Sequence, residues 1–90
     1  MMVTKSGNTL TADIHGMQIP EAKTALERLI SAADKGITEI TVIHGYSGGQ
    51  ALANMVRNKL KHKRIERKIL SMNQGETSLI IKAASLMSRI

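Results

Sequence analysis

Ninety residues, with 42% hydrophobic residues, a single aromatic one, no cysteine and a formal net charge of +6, suffice for one domain with one aliphatic core and no second, substrate-enclosing domain. The missing thiols exclude a disulfide framework and thiolate chemistry, and since no apolar run nears the ~20 residues that span a bilayer and "MMVTKSGNT" is a polar start, the expected location is the cytoplasm. Charge is unevenly placed: residues 1–50 carry four basic and five acidic side chains, residues 51–90 nine and two, which points to a polyanionic partner, nucleic acid ahead of membrane.

Residues 9–14, "TLTADI", alternate loosely and are rich in β-formers, so they read as a strand. Ala22, Ala25, Leu26, Leu29, Ile30 and Ala33 then recur at helical spacing, with Pro20 and Glu21 in the first turn and Gly36 just past the end. The helix starts poorly, because Gln18 or Ile19 stands where Ser, Thr or Asp would cap it. "EITVIH", residues 39–44, is a denser apolar run that suits a strand buried on both faces.

A second helix is expected over residues 48–62, with Leu52, Met55, Val56 and Leu60 on one face. Lys59 falls among these at 100° per residue and is expected to snorkel at the edge of the core. "IERKIL", residues 65–70, and "TSLIIK", residues 77–82, read as strands joined by a hairpin turn over Asn73 to Glu76. The expected domain is a two-layer α/β sandwich of order β-α-β-α-β-β. Two helices cover a four-stranded mixed sheet, with the core over residues 9–82 and a tail over 83–90.

Ligands of such sheets bind where the carboxyl ends of parallel strands meet the following loops. Two His-Gly corners fall there, "ADIHG" at 12–16 and "VIHGYSGG" at 42–49. Asp13 and His15, two apart on one strand, point to one face with Cα atoms ~6.6 Å apart. His44 ends the neighbouring strand and is expected to face them across a shallow cleft.

The loop Gly45, Tyr46, Ser47, Gly48 and Gly49 opens the second helix. Its glycines allow close backbone approach, and free N–H groups at a helix start bind phosphate oxygens. It is neither a Walker A loop nor a dinucleotide GxGxxG fingerprint. Tyr46 reads equally as a platform for a base or as a loop tyrosine packed sideways on the domain. Each residue also has a plainer role open to it: Asp13 could take turn N–H groups, His15 could cap the sheet, and Gly16 and Gly45 could serve only positive φ.

The pattern "ADIHGMQIPEAKTAL", then "ITVIHGYSGGQALANMVRNKL", closed by "GETSLII", resembles the Smr (small MutS-related) domain over about Leu10 to Lys82, in its stand-alone form. The resemblance implies a fold similar to the C-terminal domain of a bacterial translation initiation factor, and nuclease or nucleic-acid-binding activity. The family's Leu-Asp-x-His motif falls on Ala12, Asp13, Ile14 and His15, with Ala in place of the leading Leu. Its glycine loop falls on His44 to Gly49. Ser47 there replaces a glycine, and Tyr46 stands where Lys or Arg is common.

The expected function is a nucleic-acid endonuclease, cutting RNA or nicking DNA. His15 would act as general base, Asp13 would fix its tautomer, and His44 or a lysine would serve what leaves. The loop amides, with Arg57 and Lys61 on the basic helix, would hold the phosphates. No cofactor is expected, the alternative being a divalent metal on Asp13, His15 and His44. A non-catalytic RNA-, DNA- or ribosome-binding module is the alternative function. The expected partner is nucleic acid and the expected state a monomer or weak dimer.

Overall fold

The opening "MVTKS" has no alternation of apolar and polar residues, but Gly7-Asn8 follows at the spacing of a two-residue hairpin loop. In the computed structural model, which describes residues 1–45 and 50–82, it is a strand. β1 (Met2–Ser6) turns through Gly7, at φ +60°, into β2 (Thr9–Asp13), with Ser6 opposite Thr9 and Met2 opposite Asp13. The sheet therefore has five strands, not the expected four, and it begins at residue 2. β1 carries no apolar signal because its whole length is exposed. The backbone ladder to β2 is what holds it.

The chain continues through α1 (Ile19–Ala32) to β3 (Glu39–Ile43), which lies parallel to β2 with Asp13 beside Ile43. Next come α2 (Gln50–Asn54), one π turn (Met55–Lys59), β4 (Ile65–Leu70) and β5 (Glu76–Ile81). The sheet order is β1-β2-β3-β5-β4, with β5 antiparallel to both neighbours. The expected tail, 83–90, lies outside the described residues. No helix among the described residues is long and apolar enough to cross a membrane.

The core occupies one face of the sheet. Leu10, Ala12 and Ile14, Ile40 and Val42, and Leu79 and Ile81 meet Ala22, Leu26 and Ile30 of α1 and Leu52, Met55, Val56 and Leu60 after the second corner. Each fully buried Leu or Ile contributes roughly 1.5–3 kcal/mol, so the aliphatic core holds without aromatic residues. β3 alternates half-buried and buried residues, and so is covered by helices on one face rather than on both as its dense apolar run suggested. Glu39, Thr41 and Ile43 line its open face.

The second helix departs from the regular helix expected over 48–62. Its last turn is wide, with the Leu60 N–H on the Met55 carbonyl at 2.7 Å, five residues back. That shift of phase puts Leu60 in the core and turns Lys59 to solvent, so Lys59 is exposed rather than snorkelling among apolar neighbours.

Both helix ends are closed by basic side chains from distant sequence. The Arg64 guanidinium donates to the carbonyls of Ile30 and Ala33 at 2.7 and 2.8 Å, closing α1 where a positive-φ Gly36 would otherwise be looked for. The Lys68 ammonium donates to the carbonyls of Leu60 and Arg57. Burial, and then the neighbouring charge of Lys61, hold Lys68 below the usual lysine range.

Candidate active site at the ends of two parallel strands

Asp13 is the last residue of β2, and Gly16, at φ +78°, lets the chain turn immediately after it. The turn folds His15 back onto Asp13. The His15 ring Nδ1–H donates to Asp13 Oδ1 at 2.6 Å, and the His15 backbone N–H donates to the same oxygen at 3.1 Å. These two bonds, ring first, hold the Asp13 carboxyl below its usual range. Because Nδ1 carries the donated hydrogen, a neutral His15 leaves Nε2 as an acceptor, on a side chain 69% exposed against 32% for Asp13. The geometry is that of an oriented base open to a ligand.

His44 is not part of that pair. Asp13 pairs with Ile43, so His44 shares a face with Ile14, beneath the helices, and is buried. Its Nδ1–H donates to the Gly45 carbonyl at 3.4 Å, and its Nε2 accepts from the Thr77 hydroxyl at 3.0 Å. Thr77 Oγ1 in turn accepts from Arg57 Nε–H at 2.8 Å. Each donor meets an acceptor only if the ring is neutral. Burial, reinforced by the Arg57 charge and partly offset by the Gly45 carbonyl, keeps the His44 pKa below the histidine norm.

The expected single site of Asp13, His15 and His44 is therefore corrected, since strand alternation sends His44 to the opposite face. The alternative three-ligand metal site falls with it. Among the described residues no three His, Cys, Asp or Glu side chains are placed to hold a metal ion.

The second corner nonetheless reaches the first through Gly45. This residue has φ +91°, and a Cβ there would meet the His15 Cβ at 3.4 Å, so glycine serves both the backbone turn and the close approach. The Gly45 N–H and the His44 N–H both bond the Gly75 carbonyl of the β4–β5 hairpin. Tyr46, Ser47, Gly48 and Gly49 lie outside the described residues.

The model of the Smr domain matches residues 12–79, a span that takes in both His-Gly corners and Thr77. The chain belongs to the Smr domain family. That family is associated with nuclease or nucleic-acid-binding activity. No curated protein and no solved structure matches the chain.

In this Smr domain the basic residues expected to bind nucleic acid separate. Arg57 is half-buried, held by Thr77 and by the Glu76 carbonyl, and lines a cleft with Gly45 on the side of the site. Lys61 is exposed at the other end of the sheet, close to the start of β4, where Ile65 pairs with Ile81. The residue that sequence reading missed is Thr77, which joins His44 to Arg57. Its signal was its place in "GETSLII", two and four residues before Leu79 and Ile81 and so on the buried face of the strand.

Proposed function

We propose that this Smr domain is an endonuclease in which Asp13 and His15 act as an acid–base pair, with RNA as the substrate that fits them best. The observation that carries the reading is the double hydrogen bond from His15 to Asp13 Oδ1, which fixes the ring and leaves Nε2 uncommitted on an exposed side chain whose Cβ lies beside Gly45. On RNA, His15 Nε2 takes the proton of a 2′-OH while that oxygen forms a bond to phosphorus and the P–O5′ bond breaks. The leaving oxygen takes a proton from solvent. Asp13 stabilises the imidazolium that forms. His44 supports the site from below, by holding the Gly45 carbonyl, and transfers no proton.

The test is cleavage of labelled RNA and matched DNA by wild type, Asp13→Asn and His15→Ala. RNA cutting that falls roughly 10²–10⁴-fold in both variants, with folding intact, is the expected result. Salt-sensitive binding by wild type without any cleavage would overturn the acid–base role and leave a binding module.

A further inference from the structure

One side of Gly45 faces His15; on another, Gly45 lines a cleft between α2 and the β4–β5 hairpin, together with Gln50, Ala53, Arg57, Leu70 and Gln74. The cleft holds about 290 Å³, at the low end of small-ligand pockets and suited to one flat group. Its walls differ in chemistry. Leu70 and Ala53 are apolar, and Leu70 is left 62% exposed at the end of β4, with Met72 fully exposed just beyond it.

Gln50 and Gln74 bring two carboxamides, each both donor and acceptor, and neither has a hydrogen-bond partner among the described residues. Arg57 adds a cation whose Nε and Nη2 are pinned by Thr77 and the Glu76 carbonyl. Apolar walls with free amides match a nucleobase, which offers a flat face and an edge of donors and acceptors. A cation in the wall of the cleft matches the adjoining phosphate. A paired base offers the cleft neither its face nor its Watson–Crick edge.

We propose that this cleft receives one unpaired base of the nucleotide whose phosphate lies at Gly45 and His15, so that the domain acts where a strand is single or a duplex is interrupted. The proposal rests on the nucleic-acid reading of the site, but not on its being catalytic. It makes Gln74, Gln50 and Leu70 specificity-determining residues and gives the uncovered hairpin end a ligand.

The test measures binding of a fluorescent six-nucleotide 2′-O-methyl RNA, which lacks the attacking hydroxyl, against the same strand made abasic at its central positions. Wild type is expected to prefer the strand with bases by about tenfold. Gln74→Ala and Leu70→Ser, both exposed changes, are expected to reduce that preference roughly three- to tenfold while leaving binding of the abasic strand unchanged. A fully paired duplex of the same sequence should gain no base-dependent binding. An equal base preference in wild type and variants, or none in wild type, would overturn the cleft. Loss of the preference in the variants, with ordinary RNA left uncut by wild type, would keep the cleft and remove the acid–base reading.

Discussion

Two histidines occur in the same local sequence, His-Gly at the end of a strand, and do opposite things because the strand's alternation places them on opposite faces. His15 is exposed, with its Nδ1–H engaged by Asp13 and its Nε2 left as an acceptor. His44 is buried with both nitrogens engaged, one donating and one accepting, and protonation would leave Nε2 with a hydrogen facing a hydroxyl that already takes one from Arg57. The consequence for stability has a definite sign. His44 is lowered from 6.5, so between its folded value and 6.5 the unfolded chain binds more protons, and stability falls as pH drops through that window. Above 6.5 the contribution is fully present. Asp13, lowered from 3.8, acts in a separate window below that value and only weakly, since it is partly exposed. Ring-proton NMR is expected to show His44 still neutral as pH passes below 6.5, and urea midpoints are expected to fall over the same range in wild type and to stay flatter in His44→Gln. A His44 that titrates at its ordinary value would remove this account.

At the scale of the elements, what sequence reading captured follows from local rules and what it missed depends on distant contacts. The β2, β3, β4 and β5 strands and α1 lie within a residue or two of their expected bounds, because alternation and helical spacing are properties of short windows. The poor start of α1 is real, since Gln18 makes no side-chain cap bond. β1 went unread because its pattern has no apolar face, although Gly7-Asn8 was a usable turn signal. The π turn was unreadable from a fixed 100° step, and Lys59 among apolar residues was its only trace. Of the site, the nearness of Asp13 and His15 was legible from their spacing of two, although the turn after β2, and not the strand, folds His15 onto Asp13; the face of His44 needed the β2–β3 register. The helix caps are the clearest case of long-range structure. Arg64 closes α1 from 31 and 34 residues away, so Arg64→Ala is expected to cost about 1–3 kcal/mol, read as a lower urea midpoint. Lys59→Ala, exposed on the π turn, is expected to stay within about 0.5 kcal/mol of wild type. Equal effects of the two would mean that the guanidinium bonds do not hold the helix end.

Taken over the whole molecule, the exposed lysines before β4 and the candidate site sit at opposite ends of the sheet. Strand register places Asp13, Ile43 and Glu76 at one end of the sheet and Thr9, Glu39 and Ile80 at the other. Lys61, Lys63 and Arg64 precede β4 at the second end, so the exposed Lys61 and Lys63 are separated from His15 by about the length of a five-residue strand, ~17 Å. The open face between them carries Asp13, Glu39 and Glu76 against Arg67 by alternation, so its net negative charge disfavours a phosphate backbone laid along it. A bound strand is therefore expected to pass from the His15 corner over the helix side to the lysines, and at ~3.4 Å per nucleotide of stacked strand it needs at least about five nucleotides to do so. Lys61→Glu with Lys63→Glu is expected to weaken binding of a twelve-nucleotide RNA and to lower the salt slope by roughly 0.7–0.9 for each lost phosphate contact. Binding of a three-nucleotide RNA, too short to reach both ends, should not change. Equal losses on both lengths would show that the lysines act as a general field rather than as a second contact, and no loss on either would place the backbone track elsewhere.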